Sequence, residues 1–263
     1  MPELPEIEAY RRLAEGALGR RVARVEVGDR RFVRGAVPPE GLVAVLGGAV
    51  FTAARRHGKL LVLDLGGEGP GRSLGLRFGM TGRLLVDGRE GVERLVYASA
   101  RQDPAWDRFG VVFADGGRMT VRDPRLLGGV ELDPDESRLG PDALTVTPAA
   151  LRRALGPSDV ALKARLMDQG RLAGVGNLIA DEVLWRASLV PQRRSGSLTP
   201  AEHRRLHHHL RATLDLLMAR GGSHTGDLMP ERTPGGHCPR DGTELVRSTV
   251  GGRTSWWCPH HQR

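Results

Sequence analysis

The sequence predicts an α+β protein built from an N-terminal β-sandwich with a capping helix, a helical domain and a C-terminal, zinc-ribbon-like β-hairpin. Short strand-like runs separated by Gly, Asp and Pro fill the first half of the chain. After a turn-rich segment, apolar residues recur at helical spacing, and paired candidate metal ligands follow near the C-terminus. We therefore divide the chain into an N-terminal domain (1–132), a linker (133–146), a helical domain (147–235) and a finger (236–263).

The first half begins with a helix and continues in strands. Over residues 5–18 acids come first and arginines last, and Gly19 ends the predicted helix. Its apolar residues at helical spacing are Ile7, Tyr10, Leu13, Ala14 and Ala17. Strands are indicated by alternation from Ala23 to Val27, by the apolar run 60–65, and by 108–114 and 118–123 around Asp115-Gly116-Gly117. Residues 20–132 thus resemble a β-sandwich or barrel that the first helix caps.

The second half is predicted to be helical. Thr147-Pro148 is an N-cap followed by Pro at the first helical position, and Thr199 with Glu202 forms a capping box. The predicted helices cover 149–155, 160–168, 177–187 and 200–220, with Gly221-Gly222 ending the last one. The histidines of this last helix, residues 207–209, are interpreted as a solvated face rather than a metal site.

Composition favours a polyanionic partner. The 263 residues carry a net charge of +8 and a pI of about 10.7, which favours nucleic acid over membrane, although a generic solubilising charge is the alternative. Aromatic residues make up 4%, too few for a base-stacking platform. Apolar runs fall short of the ~20 residues of a membrane span, and the acidic start is not a secretory signal. The 2 cysteines exclude a disulfide framework and fit a reducing cytoplasm.

The start of the chain carries a possible nucleophile. If Met1 is removed, Pro2 presents a secondary amine, and such an amine can form a Schiff base with a sugar C1′. Glu3 and Glu6 lie close in sequence as possible acid–base groups. The alternative is a frayed terminus with Pro and acids at a helix start.

Two glycine-containing turns are candidate phosphate contacts. Lys59, in the turn His57-Gly58-Lys59, can present an ammonium to a phosphate or a base oxygen, or it is an ordinary exposed lysine. The turn 174–177 precedes a helix, whose N-terminal N–H groups suit a phosphate, or it is a plain packing corner.

The C-terminal segment contains the ligand pairs of a ribbon. Cys238 with Asp241, and Cys258 with His261, have the spacing of a zinc ribbon, with His237 and His260 as substitutes. The alternative is a metal-free hairpin held by Trp256 and Trp257. Arg253 would lie at the hairpin tip, where it suits a phosphate or a narrow groove.

Together these motifs resemble the formamidopyrimidine-DNA glycosylase / endonuclease VIII (Fpg/Nei) family over nearly the whole chain. The start Pro2-Glu3-Leu4-Pro5 resembles the formamidopyrimidine branch. The other matching segments are 58–59, 76–82, 123–125, 163–169, 174–177, 180–182 and the frame of the ribbon. The resemblance implies a helix–two-turn–helix domain, a zinc ribbon and double-stranded damaged DNA as partner. It also implies a bacterial-type, cytoplasmic and nucleoid-associated monomer.

The resemblance implies a bifunctional DNA glycosylase and AP lyase that removes oxidised bases, with 8-oxoguanine and formamidopyrimidine favoured. Pro2 attacks C1′, Glu3 handles protons, Glu6 supports the same site, and Lys59 serves base release and phosphate contact. β,δ-Elimination then cuts the strand. The matching DNA-binding residues are Lys163, Asn177 and Arg253 for phosphates, and Met80 and Arg125 for the hole left by the flipped nucleotide.

The chain departs from the family pattern at three places. Leu126-Leu127 stands where Arg-Phe is usual, so Leu127 can wedge between bases but cannot stack as an aromatic ring. Asp241 and His261 replace two expected cysteines. The segment 221–236 is short, which weakens the oxidised-purine assignment and makes an oxidised-pyrimidine glycosylase of the endonuclease VIII type the alternative. A protein that binds damaged DNA without catalysis is the remaining alternative.

Overall fold

The computed structural model describes residues 2–67, 71–96, 98, 101 and 103–263, so Met1 lies outside the described residues. The α+β class is confirmed. The chain divides into an N-terminal unit, which contains Pro2 and Glu6–Glu136, and a C-terminal unit, which contains Glu3–Pro5 and Ser137–Arg263.

The first 132 residues supply two five-stranded sheets. The helices and strands here are α1 (Leu4–Ala14), β1 (Val22–Val27), β2 (Val33–Arg34), α2 (Pro39–Leu46), β3 (Phe51–His57), β4 (Leu60–Leu65), β5 (Ser73–Arg77), β6 (Arg83–Val86), β7 (Arg89–Glu90), β8 (Asp107–Phe113), β9 (Arg118–Arg122) and β10 (Gly129–Leu132). The sheet orders are β1-β8-β9-β6-β7 and β2-β10-β5-β4-β3. Among the described residues of these sheets, the strand pairs are antiparallel except β2 with β10.

One apolar core fills the sandwich. It takes Leu61 and Leu63 from one sheet and Val111 and Phe113 from the other, all buried. Helix α1 adds Tyr10, whose hydroxyl donates to a backbone carbonyl (3.1 Å). Burying such side chains stabilises the fold by roughly 1.5–3 kcal/mol each. The predicted capping helix is therefore part of the core, although its last turn, Glu15–Ala17, is a 3₁₀ turn.

The C-terminal unit contains helices and one hairpin. They are α3 (Pro148–Leu155), α4 (Leu162–Met167), α5 (Asn177–Arg186), α6 (Pro200–Ala219), β11 (Val246–Val250) and β12 (Arg253–Trp257). The side chain of Thr199 caps α6 together with Glu202, as predicted. Helix α4 begins two residues later than expected, because the Val160 carbonyl accepts the N–H of Ser195 and Ala161 pairs with Arg194.

The helices and the hairpin have separate apolar clusters. Leu residues of α4, α5 and α6 form the larger one. The smaller one contains Trp185 of α5, Trp256 of β12 and both cysteines, so it joins the hairpin to α5. Of the three adjacent histidines on α6, His208 is exposed and His207 contacts the Val146 carbonyl (2.9 Å). Among the helices that the structure describes, none is long and apolar enough to cross a bilayer.

Candidate functional site

Glu3 is anchored on the N-terminus of α5. Its side chain is 1% exposed, and its two carboxylate oxygens accept the N–H groups of Leu178 (2.9 Å) and Ile179 (3.2 Å). A helix N-terminus favours an anion because its first N–H groups lack partners and carry the positive end of the dipole. The turn 174–177, which the sequence predicted as a candidate phosphate contact, thus binds a carboxylate of the chain itself. These two hydrogen bonds hold Glu3, the residue that follows Pro2.

Glycines make room for this anchor. A Cβ on Gly176 would lie 2.2 Å from the Glu3 carboxyl carbon, and one on Gly174 would lie 2.6 Å from a methyl carbon of Leu4. Gln169 holds the turn, since its side chain accepts the Gly174 N–H (3.0 Å) and donates to the Val175 carbonyl (2.9 Å). The glycines are therefore required for close approach of residues 3 and 4.

Lys59 lies in the tight turn between β3 and β4, where Gly58 has a φ of +59°. The neighbouring Arg56 bonds the Gly58 carbonyl (3.0 Å) and the carboxylate of Glu8 in α1 (3.2 Å). Arg56 is 5% exposed, so this tie is largely shielded from water. It fixes the turn that carries Lys59 relative to α1.

Pro2, just before α1, and Glu6, in the first turn of α1, are both buried. Glu6 is 2% exposed and lies near Tyr10. Burial raises the pKa of Tyr10 far above its usual value, and the charge of Glu6 raises it further. Glu6 thus lies in a poorly solvated place, where a carboxyl group can serve proton transfer.

Met80, Arg125 and Leu127 come together in the N-terminal unit. The guanidinium of Arg125 lies 3.6 Å from the sulfur of Met80, and Leu127 is 49% exposed. A Cβ on Gly79 would lie 2.5 Å from the Leu127 backbone, so the two loops touch closely.

One buried carboxylate holds this pair of loops. Asp123, 0% exposed, accepts the hydroxyl of Thr81 (2.5 Å) and the N–H groups of Arg125 (3.2 Å) and Gly128 (2.8 Å). Leu126 has a φ of +54°, a strained conformation for a residue with a Cβ, and these bonds compensate for it. The structure thus presents an exposed apolar tip on a rigid base.

Lys163 lies inside the C-terminal unit and is fully buried. Its ammonium is 2.7 Å from a carboxylate oxygen of Asp181 and donates to the Thr254 carbonyl (2.8 Å). Asp181 also accepts from Arg232 (2.7 Å) and Ser255 (2.7 Å). The predicted phosphate contact of Lys163 stays a prediction, and the contacts that the structure gives it are internal.

Arg253 and Asn177 occupy more accessible positions. Arg253 is exposed at the tip of the β11–β12 hairpin. Asn177 is the first residue of α5, and its side-chain oxygen is buried with no hydrogen-bond partner among the described residues. This acceptor suits a water molecule, whereas the amide nitrogen of the same side chain is the group that can donate to a phosphate.

The four predicted metal ligands converge at the base of the hairpin. The ligand atoms of Cys238, Asp241, Cys258 and His261 all lie within 4.8 Å of one another. The Cys238 sulfur is 3.6 Å from His261 Nδ1, and the Cys258 sulfur is 3.4 Å from Asp241 Oδ2. Tetrahedral zinc ligands are separated by roughly 3.3–3.8 Å, given metal–ligand bonds of about 2.0–2.3 Å. The donor set and these two distances fit zinc, whereas His261 Nδ1 and Asp241 Oδ2 lie 2.9 Å apart, at hydrogen-bond distance.

Hydrogen bonds from neighbouring groups orient the candidate metal ligands. His261 Nε2 lies 3.2 Å from the Trp185 carbonyl, a contact that turns Nδ1 toward the cluster, where it lies 2.9 Å from Asp241 Oδ2. The Cys238 sulfur accepts from the Trp185 indole (3.3 Å) and the Arg240 N–H (3.4 Å). Burial, the largest cause, raises the pKa of the Cys258 thiol in the protein without metal.

Sequence reasoning missed the roles of Asp181 and Glu182. Both are buried, and Glu182 accepts the N–H groups of Asp227 (3.1 Å) and Leu228 (2.9 Å). The available signal was their place inside the apolar run of α5, because acids within such a run are usually buried and paired.

Known proteins share this architecture. The formamidopyrimidine-DNA glycosylase N-terminal domain family matches residues 1–130, and the formamidopyrimidine-DNA glycosylase H2TH domain family matches residues 139–228. A formamidopyrimidine-DNA glycosylase of Paracoccus denitrificans is 36% identical, and the match covers 98% of this chain and 99% of that protein. One of Arabidopsis thaliana is 31% identical, over 100% of this chain and 71% of that protein.

Solved structures of related proteins have the same fold. A Lactococcus lactis Fpg variant in complex with DNA that contains Fapy-dG matches with a TM-score of 0.83 at 26% identity, over 100% of both chains. The Lactococcus lactis Fpg in complex with DNA containing an abasic site matches with a TM-score of 0.82, over 99% of both chains. From the two domain matches and the full-length relatives, the chain belongs to the formamidopyrimidine-DNA glycosylase family.

Proposed function

We propose that this member of the family is a bifunctional DNA glycosylase and AP lyase of base-excision repair. After loss of Met1, the Pro2 nitrogen attacks C1′ of a damaged nucleotide. The bond from C1′ to the base breaks and its electron pair leaves with the base, which takes up a proton. The sugar ring opens to give an iminium, and β- and then δ-elimination release the two strand ends. The anchor of Glu3 on Leu178 and Ile179 carries this proposal, because it holds the chain beside the amine.

Three side chains assist this chemistry. Glu3 moves protons at the sugar and the leaving base, and Glu6 supports it from the first turn of α1. Lys59, on its braced turn, serves base release and contacts a phosphate. The evidence for these roles is the burial of both carboxylates and the tie of Arg56 to the turn.

The proposed substrate is double-stranded DNA with an oxidised base, and formamidopyrimidine and 8-oxoguanine are favoured. Met80, Arg125 and Leu127 fill the hole that the flipped nucleotide leaves. Asn177 and Arg253 contact phosphates beside it. The chain acts as a monomer in a bacterial-type cytoplasm on nucleoid DNA, and its boundaries at 132, 146 and 235 remain predictions.

Zinc is the proposed ion at Cys238, Asp241, Cys258 and His261. When bound, it would fix the hairpin that carries Arg253, and it would take no part in the reaction. We expect about one zinc per chain by elemental analysis, and loss of it in His261→Ala, with weaker DNA binding. His237→Ala is the matched control, because His237 is exposed and lies outside the cluster. Unchanged zinc content in His261→Ala would refute this ligand set.

Borohydride trapping on a duplex with an abasic site tests the nucleophile. Wild type should give a covalent adduct whose link lies on Pro2 by mass spectrometry, and Pro2→Gly should give none while it still binds the duplex. Gly176→Ala should displace the Glu3 carboxylate and lower the trapping rate, because the new Cβ occupies its place. An adduct on another residue would overturn the proposal.

A second candidate is an oxidised-pyrimidine glycosylase. The observation in its favour is the segment 221–236, which is short and tied down through Glu182 and Asp181. Duplexes that contain 8-oxoguanine, formamidopyrimidine, thymine glycol or 5-hydroxyuracil opposite each base separate the two. Faster excision of the pyrimidine lesions would favour this candidate.

A further inference from the structure

Asp181 lies at the centre of a largely buried cluster that draws on three other parts of the chain. It is 0% exposed and receives the ammonium of Lys163 from α4 (2.7 Å) and the guanidinium of Arg232 (2.7 Å). From β12 it receives the hydroxyl of Ser255 (2.7 Å) and the N–H of Trp256 (3.3 Å). Bonds to ionised partners are about twice as strong as neutral ones, so the cluster binds these parts firmly.

The residues that Asp181 and Lys163 hold follow Arg253 directly in the chain. Lys163 donates to the carbonyl of Thr254, and Asp181 accepts from the next two residues. On the other side of the tip, a Cβ on Gly251 would lie 2.8 Å from the Cβ of Ala164, next to Lys163. The hairpin tip is therefore fixed to α4 on both sides of Arg253.

Lys163 cannot serve this cluster and a phosphate at once. Its side chain is 0% exposed, and both of its contacts are internal. Moving the ammonium to DNA would leave Asp181 with Arg232 as its sole cation and would uncover the Thr254 carbonyl. Breaking a buried pair in this way is strongly unfavourable.

We infer that Asp181 is a positioning residue for DNA recognition, and that Lys163, Asp181 and Ser255 form an internal lock that acts through Arg253 rather than on DNA. This inference rests on the proposed contact between Arg253 and a phosphate. Because the lock orders the hairpin before DNA binds, contact between Arg253 and a phosphate costs less conformational entropy. A variant that breaks the lock should therefore weaken this contact although Arg253 is still present.

A double-mutant cycle on affinity for a lesion-analogue duplex (tetrahydrofuran site) tests this. Arg253→Ala should weaken binding roughly tenfold and lower the slope of log affinity against log salt by about 0.9, the loss of one phosphate contact. Lys163→Met and Ser255→Ala should each weaken binding several-fold alone, and neither should weaken it further in the Arg253→Ala background. Ser255→Ala keeps every charge, so it covers the case in which Lys163→Met fails to fold.

Glu182→Gln is the matched control. Glu182 is the next residue on α5 and is similarly buried, but its partners are Arg186, Asp227 and Leu228 rather than the hairpin. Its effect on affinity should be small and should add to that of Arg253→Ala.

Additive effects of Lys163→Met and Arg253→Ala would overturn the lock and make Lys163 a direct phosphate contact. Wild-type affinity of Ser255→Ala and Lys163→Met, with weak binding by Arg253→Ala, would overturn the lock alone. Wild-type affinity of Arg253→Ala would overturn the phosphate contact and the lock that depends on it. None of these results bears on trapping at Pro2, so the proposed chemistry is tested separately.

Discussion

Two buried aspartates support the two groups of proposed DNA contacts, and they do so in opposite ways. Asp123 in the N-terminal unit accepts one hydroxyl and backbone N–H groups, all neutral donors. Asp181 in the C-terminal unit accepts from an ammonium and a guanidinium, besides a hydroxyl and an N–H. Both are 0% exposed.

The difference shows that one residue type can organise a site by two mechanisms. Neutral donors around Asp123 fix a short loop whose own backbone supplies the bonds, so the anchor is local. Charged donors around Asp181 come from distant parts of the chain, and their charges depend on the carboxylate. Neutralising Asp181 should therefore cost more folding stability than neutralising Asp123.

The largest effect is expected for Asp181→Asn. It leaves Lys163 and Arg232 buried without their counter-charge, and loss of one partner of a buried pair costs about 3–5 kcal/mol. The free energy of unfolding, measured by urea denaturation, should fall by this amount. A smaller loss of unfolding free energy in Asp181→Asn than in Asp123→Asn would contradict the comparison between the two aspartates.

Asp123→Asn is expected to cost less, about 1–3 kcal/mol. The amide oxygen still accepts one N–H, but the amide nitrogen then faces another donor. Hydrogen exchange should increase at residues 125–128 and change little in β4. Thr81→Ala, which removes one donor and keeps the carboxylate, is the milder control. Uniform loss of protection across the sandwich would contradict a local anchor.

Leu127→Ala should alter binding but not stability. Leu127 is 49% exposed, so truncation removes little from the core, while affinity for a lesion duplex should fall by about 1 kcal/mol, the rough value of half a leucine burial. Val160→Ala is the control, because Val160 is 46% exposed in the C-terminal unit and has no proposed DNA contact. Equal affinity of Leu127→Ala and wild type would remove the wedge from the proposal.

The smallest effect concerns pH and lies away from both aspartates. Burial lowers the pKa of His203 and His209 on α6 below the ordinary 6.5. The unfolded chain then binds more protons than the folded one as pH falls through 6.5, so stability is retained above that pH and is lost below it. Urea denaturation from pH 8 to about pH 5 should show this loss. The double variant His203→Gln/His209→Gln should flatten the profile, and an equally steep profile would exclude these histidines as its cause.

Local signals in the sequence were sufficient for much of this structure. The capping box of Thr199, the hairpin around Gly116 and the apolar run Leu60–Leu65 all appear where they were predicted, because each depends on neighbouring residues. The ligand set with Asp241 and His261 also converges, since its spacing is a local property of a hairpin. Helix ends were less predictable, as at Val160, which pairs with Ser195 instead of joining α4.

The sequence by itself determined which chemical groups are present: the amine that Pro2 can expose, the acids beside it, the two ligand pairs and the excess of positive charge. The tertiary structure decided which partner each group has. Glu3 binds the N-terminus of α5 at Leu178, 175 residues away, and Lys163 pairs with Asp181, 18 residues away. Such pairings depend on burial and on the energy of leaving a charge without a partner, and these are properties of the packed chain rather than of any local pattern.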